Sequence, residues 1–412
     1  MHIVVLTGSF YPNIMAPSAC VKPYLLELAK EHEVEVVCPV SDSQYRGEVE
    51  QDGLMIHYVS NRINDIFVKA NANLHNNKKR LQSKVSLNYV RVVKLLQEEL
   101  FPSLYDSSMV DAYLEELKQI NREHKIDVII SVTYPFLTHV VALKYKEQNP
   151  QVKWLTYTTD PLAYNEANPI APWKKRNAIK IEKKVYETCD NCIVTEELFD
   201  NVVKDYGIDQ KKVLVLPYLV ETENVPKLER KTEHERAQVL YAGCLFYRVR
   251  DPRTMLSVFS KLNTVDLCLY VTGDRQCRKM LKSEFPSNIH INGLVPREEY
   301  FKLLSQADIL VNLSNDAKLQ APHKLMELIS TGKPIINFYY HKNAGFRIIE
   351  RYPLGINVSN NSKPDEMVTA IDAFIADNCH KALSDAEIKE IFPEFLMPYQ
   401  MESIKAIIHN KE

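Results

Sequence analysis

Along the chain, short apolar runs of strand length alternate with stretches in which apolar residues recur every three or four positions, the period of a half-buried helix. Ile3 to Thr7 reads as a strand, a polar loop follows, Val21 to Glu31 carries a helical pattern, and Val34 to Cys38 reads as the next strand. The same order recurs with a strand at Val128 to Val132, a helix at Thr138 to Glu147 and a strand at Trp154 to Thr158; Val213 to Leu216 is the last strand of this half. Such alternation implies a parallel sheet whose strands are covered by helices on both faces.

The pattern breaks between Glu221 and Gln238, where Glu229, Arg230, Lys231, Glu233, His234, Glu235 and Arg236 leave almost nothing apolar to bury. It restarts with strands at Val239 to Ala242, Leu267 to Thr272, Ile289 to Ile291, Ile309 to Leu313 and Pro334 to Phe338. The expected fold class is therefore α/β, with two Rossmann-like domains over residues 1–220 and 238–390 and a linker over 221–237. Residues 391–412 read as a helical segment, strongest from Met401 to Ile408, that could pack back on the first domain. No short-period repeat is visible, which removes solenoids and propellers.

Composition narrows the class without changing this picture. The 412 residues are 45% apolar and 25% charged, an ordinary globular balance rather than that of a disordered chain or a membrane protein. The N-terminus lacks the features of a secretory signal and no apolar run is long enough to span a bilayer, so a cytoplasmic location is expected. The eight cysteines are scattered, as in a reducing compartment, and the Cys189-x-x-Cys192 pair lacks further ligands at metal-site spacing, so both read as core thiols. A net charge of −2 argues against nucleic acid as a partner. Two basic clusters stand out locally, Lys78 to Lys94 and Lys174 to Lys184 behind Trp173. They read either as solvated helix faces or as a peripheral contact with anionic lipid.

Glycine is scarce, ten in all against a usual ~7% of residues, so its remaining positions carry information. Gly8, Gly243, Gly273 and Gly293 each stand beyond the carboxyl end of an expected strand, where open α/β sheets bind ligands and where a missing side chain lets backbone N–H groups reach a phosphate. Turn geometry alone would explain any one of them. No Gly-x-Gly-x-x-Gly follows the first strand and no Gly-Lys-Ser/Thr occurs, which removes the dinucleotide fingerprint and the P-loop.

The richest segment runs from Ser314 to Phe338. After a strand and a polar loop, Pro322 suits the first turn of a helix whose apolar stripe is Leu325, Leu328 and Ile329; Gly332 ends it and Pro334 opens the next strand. A helix N-terminus at a strand's carboxyl end suits a diphosphate, with His323 and Lys324 adding donors and Glu327, one turn in, able to accept from ribose hydroxyls.

The run from Pro322 through His323, Lys324, Glu327 and Gly332 to Pro334 resembles the donor-binding signature of glycosyltransferase family 4, whose members are retaining enzymes of the GT-B architecture. The likeness extends to Tyr241-Ala-Gly243 with Arg250-Asp-Pro252, to Val271-Thr-Gly273-Asp274 and to Ile291-Asn-Gly293-Leu294-Val295 near the base, and so covers most of the second half. It implies two domains whose sheets face a central cleft, a nucleotide diphosphate-sugar as co-substrate, and no other cofactor or metal. It puts the ribose contact on Glu327 and stabilisation of the leaving diphosphate on Lys324 with Arg250 or Arg248. Asp160, in Thr158-Thr-Asp160-Pro161, is the candidate for positioning the sugar or the acceptor hydroxyl, an Asp-Pro turn being the other reading. The chain departs from the pattern at Cys244, where an arginine often follows the glycine, at Leu319, where a first glutamate falls, and at Ala16-Pro17-Ser18-Ala19, which stands in place of a Gly-Gly loop.

The expected function is sugar transfer with retention to a glycan or lipid-linked acceptor, in surface polysaccharide synthesis. Two other readings remain, a sugar-nucleotide epimerase of the same fold and a catalytically degenerate partner subunit of an active transferase.

Overall fold

The computed structural model describes residues 1–74, 79–99, 104–166, 169–221, 236–319 and 323–409. Most of the expected linker, together with Lys78 and Pro322, lies outside the described residues. The chain divides into two compact units, Met1–Leu216 with Gln400–Glu412, and Pro217–Tyr399.

The first unit runs β1 (His2–Leu6), α1 (Ala16–Leu28), β2 (Glu33–Pro39), β3 (Gly47–Gln51), β4 (Leu54–Val59), α2 (Arg62–Ala72), α3 (Arg80–Glu99), α4 (Ser107–Glu123), β5 (Val128–Val132), α5 (Leu137–Gln148), β6 (Lys153–Thr158), α6 (Lys175–Thr188), β7 (Asn191–Val194), α7 (Glu196–Asp200) and β8 (Val213–Val215). Its sheet has the order β3-β4-β2-β1-β5-β6-β7-β8. All neighbours are parallel except the edge pair β3 and β4. β1 is central and buried at every position, which is why Ile3-Val4-Val5-Leu6 shows no polar alternation.

The second unit runs β9 (Ala237–Leu245), α8 (Arg253–Phe259), β10 (Val265–Gly273), α9 (Arg275–Met280), β11 (Ile289–Asn292), α10 (Arg297–Gln306), β12 (Ile309–Leu313), α11 (His323–Ile329), β13 (Ile335–Tyr339), α12 (Ala344–Arg351), β14 (Gly355–Ser359), α13 (Pro364–Asn378), α14 (Asp385–Ile391) and the start of α15 (Met397–His409). Its six strands are all parallel, in the order β11-β10-β9-β12-β13-β14. Val239, Phe259, Leu267, Ile309, Ile336 and Ile371 join one apolar core. Across the three strands β12, β13 and β14, paired residues Asn312, Asn337 and Asn357 form a chain of side-chain hydrogen bonds of 2.8 and 2.7 Å, ending on the Phe346 carbonyl at 3.0 Å. Asn337 is fully buried, so a register slip would strand its amide without partners.

Three sequence expectations change. α1 starts at Ala16 rather than near Val21, so Ala16-Pro17-Ser18-Ala19 is the first turn of a helix and not a loop; Pro17 fits there because the first turn has no use for its missing N–H. Gly243 lies inside β9 rather than beyond it, because β9 stays paired with β10 as far as Leu245. Gly273 is likewise the last residue of β10. Cys189 and Cys192 are buried thiols 3.4 Å apart. Among the described residues no helix is long and apolar enough to cross a membrane.

On the first unit's β2–β4 edge, His57 sits among carboxylates. Its Nδ1 is 2.9 Å from Glu116 and 3.7 Å from Glu48, and its Nε2 is 3.0 Å from Glu35, as an ion pair rather than an aligned hydrogen bond. Burial alone would lower its pKa, but the Glu116 and Glu35 contacts outweigh burial and push it up to about 9. A raised folded-state pKa gives stability that is fully present below ~6.5 and lost as pH rises through about 9, here up to roughly 3 kcal/mol. Both tryptophans, Trp154 and Trp173, lie in this unit. Urea unfolding followed by tryptophan fluorescence is therefore expected to show a lower midpoint at pH 9.5 than at pH 6, and His57→Gln is expected to flatten that dependence.

Candidate functional site

The candidate residues of the second unit converge on one lysine. α11 follows the carboxyl end of β12, and its face carries Lys324 and Glu327 one turn apart. Leu325, Met326, Leu328 and Ile329 are buried and hold the helix to the sheet. Gly332 ends the segment at φ +72°, and its carbonyl accepts from the Leu383 N–H at 2.8 Å.

The Lys324 ammonium stands 4.8 Å from the centre of the Tyr300 ring and 5.9 Å from that of Tyr241. Among the described residues it has no hydrogen-bond or ion-pair partner. Gly243 makes the space: at φ +146°, it would place any Cβ 3.1 Å from Lys324 Nζ. Burial lowers the Lys324 pKa, and although the Glu327 charge opposes this, the Arg250 charge adds to it and leaves the value at about 8. Burial likewise pushes the Tyr241 hydroxyl up to about 12.

Glu327 is held from α10. Its Oε1 is 3.2 Å from Arg297, and its Oε2 accepts from the Tyr300 hydroxyl at 3.3 Å. His323 packs its ring edge-on against Tyr218 at 4.9 Å, and burial lowers its pKa, so it stands there as a neutral imidazole at neutral pH.

Beyond β9 the chain folds back in a tight hairpin closed by the Phe246–Arg250 bridge, with the Arg250 N–H donating to the Phe246 carbonyl at 2.8 Å. Asp251 is buried, accepts from the Arg248 and Arg253 N–H groups, and pairs with the Arg253 guanidinium at 2.7 Å. Asp274 caps α9 through Gln276 and Cys277 at 2.9 and 2.8 Å and accepts from the Tyr247 N–H at 2.7 Å. These two carboxylates fix the hairpin's backbone. Arg250 then reaches Asn315 with its Nε at 2.9 Å.

Of the residues singled out in the sequence, the structure brings Gly243, Arg250, Lys324 and Glu327 together. Arg248 is exposed at φ +67°, with its guanidinium over the Tyr247 ring. Gly273 ends the neighbouring strand β10, while Leu294 is exposed and Val295 half-buried between β11 and α10. Gly8 and Asp160 belong to the first unit. Gly8 packs against Pro135. Asp160 is half-buried and accepts from the Thr159 hydroxyl at 3.2 Å; just beyond it the Leu162 and Ala163 N–H groups donate to the buried Glu182 at 2.7 and 3.0 Å, which makes the Asp-Pro segment a pinned turn.

Sequence reasoning missed Tyr300, Arg297 and Asn315. Tyr300 and Arg297 carry no motif of their own; their signal is only that they open the helix after the Leu294-Val295 stretch.

No family model matches the chain, and no curated protein matches it. Solved structures do match in fold. Sucrose-phosphate synthase from Thermosynechococcus elongatus is 12% identical, with a TM-score of 0.68 over 98% of this chain and 97% of that one. The Escherichia coli trehalose-6-phosphate structure bound with UDP-2-fluoro glucose is 11% identical, with a TM-score of 0.65 over 100% of each chain. Anabaena HepE in complex with UDP-glucose is 11% identical, with a TM-score of 0.60 over 98% of this chain and 100% of that one. At this identity the likeness establishes the fold, which is that of the GT-B glycosyltransferases, as the sequence led us to expect.

A Cβ at Gly332 would lie 2.2 Å from the Leu383 carbonyl oxygen, on a backbone that already disfavours any side chain. Gly332→Ala is expected to lower stability by at least ~2 kcal/mol, read as a fall in the urea midpoint of the second unit.

Proposed function

We propose that this chain is a glycosyltransferase that moves a sugar, with retention, from a nucleoside diphosphate donor to a glycan or lipid-linked acceptor, in the manner of family 4. The observation that carries the reading is the half-buried Lys324 ammonium, set beside Gly243 and over aromatic faces with no counter-ion in contact among the described residues. A cation that has lost part of its hydration and has no counter-ion is costly, and a diphosphate would supply the missing charge. The GT-B fold, and neighbours solved with UDP-glucose and UDP-2-fluoro glucose, support a nucleotide sugar as that anion.

In this reading Lys324 and Arg250 take up the negative charge that grows on the diphosphate as the glycosidic bond breaks, an electrostatic task that needs no metal. The oxocarbenium-like sugar then depends on charge placement more than on a strong nucleophile. Glu327 accepts from the ribose hydroxyls, its orientation set by the Tyr300 hydroxyl. Arg297 also pairs with Glu327 from an exposed position and is free to turn aside. For Asp160 we propose the positioning of a sugar or acceptor hydroxyl. Synthesis of a surface polysaccharide is the expected setting.

The test is a thermal-shift and calorimetric screen of nucleoside diphosphates and their sugars, since a ligand that binds the folded state raises its melting temperature. Wild type is expected to select one base, Lys324→Met to bind it ~10- to 100-fold more weakly, and Glu327→Ala to lose about tenfold. Absence of any nucleotide effect on the folded wild type would sink the reading, and conversion of the donor without acceptor would point to an epimerase.

A pH dependence follows from the same lysine. Lys324 loses its proton near pH 8 in the free protein, and a bound anion raises that value, so affinity should be level below about 8 and fall as pH rises beyond it. Titrations at pH 7.5 and 9.5 are expected to differ by about tenfold for wild type and to coincide for Lys324→Met.

A further inference from the structure

α3 (Arg80–Glu99) packs against α2 through one face, on which Ser83 and Val90 are buried. The opposite face should be polar on a surface helix, and it is not. Leu81, Val85, Tyr89 and Val92 recur at helical spacing there and are 77, 62, 52 and 54% exposed. Isolated exposed apolar side chains need no explanation, but four aligned over three turns do.

The charges beside this stripe are of one sign. Arg80, Lys84 and Arg91 line one flank, all exposed, and none has an ion-pair partner among the described residues. From Lys79 to Val93 the sequence contains no Asp or Glu. An apolar ridge with a one-sided row of unpaired cations complements a surface that is apolar within and anionic at its edge.

We propose that α3 docks on an anionic lipid surface, its stripe entering the headgroup boundary while Arg80, Lys84 and Arg91 meet lipid phosphates. A second copy of the chain fits less well. The four side chains offer on the order of 400 Å², about half of the ~800 Å² per partner that a stable interface buries, and facing copies would set like charges together. The proposal does not depend on the donor-site reading, because none of these residues belongs to that site.

The experiment is flotation of the full chain with phosphatidylcholine vesicles, with and without about one-third phosphatidylglycerol, at moderate salt. Wild type is expected to float with the anionic vesicles and far less with the neutral ones. Val85→Asp with Val92→Asp, and separately Arg80→Glu with Lys84→Glu and Arg91→Glu, are each expected to weaken partitioning at least tenfold. All these positions are exposed, so circular dichroism and melting temperature should stay at wild-type values, and nucleotide thermal shifts should be unaltered. Failure of wild type to float, or flotation unchanged in both variants, would overturn the proposal. A dimer seen by light scattering and lost in the Val85→Asp, Val92→Asp variant, without vesicle binding, would overturn it in favour of a second copy.

Discussion

The second unit is organised around a half-buried ammonium group with no carboxylate in contact. Its pKa of about 8 records how far partial loss of hydration works against the charge. Two aromatic faces, Tyr300 and Tyr241, give it a partial substitute for hydration. The obvious counter-ion, Glu327, is already engaged by Arg297 and Tyr300. Gly243 gives the ammonium room on β9, since a Cβ there would lie 3.1 Å from its nitrogen.

Three separate elements, β9, α10 and α11, therefore meet at this group, and the sheet is what aligns the first and last of them. β9 lies between β10 and β12, so its register sets where Gly243 falls relative to the end of β12, from which the chain leaves for α11. On the far side of β12, the Asn312–Asn337–Asn357 chain penalises any slip of β13 and β14, because it would leave buried amides unpaired. Gly332 then fixes where α11 ends. The lysine's position is thus a consequence of backbone hydrogen bonding some distance away.

How much of this the sequence reveals depends on the kind of interaction. Central strands were legible because burial on both faces leaves apolar runs, as in Ile3 to Leu6 and Ile309 to Val311. β3, Gly-Glu-Val-Glu-Gln, was not, since an edge strand half open to water has no apolar signature. β14, Gly-Ile-Asn-Val-Ser, was missed because its asparagine is spent on the cross-strand amide chain rather than on a turn. α11 could be read with its start and stop signals, and Lys324 and Glu327 with it. The choice between Arg248 and Arg250 could not be read. Two residues apart, they differ only in that the Phe246–Arg250 bridge turns one guanidinium back to Asn315 while the other faces solvent at positive φ. Tyr300 was hidden for a different reason: its meaning lies in what it touches from another helix, and nothing in its own segment marks it.

Two cations of this chain, His57 and Lys324, differ in how the protein around them compensates their charge. His57, in the first unit, is surrounded by Glu35, Glu48 and Glu116, and its neighbours raise its pKa to about 9. The imidazolium is fully compensated there, and its charge goes into holding β2, β3, β4 and α4 together. Lys324 is lowered rather than raised, because its surroundings offer burial and aromatic faces but no anion in contact. Folding gains nothing from a half-buried ammonium in that condition, since an apolar residue of similar size would cover the same surface without the desolvation cost. In the proposed donor site the compensating charge would arrive from outside the chain, and the difference between the two sites lies in their neighbours rather than in the residue types they use.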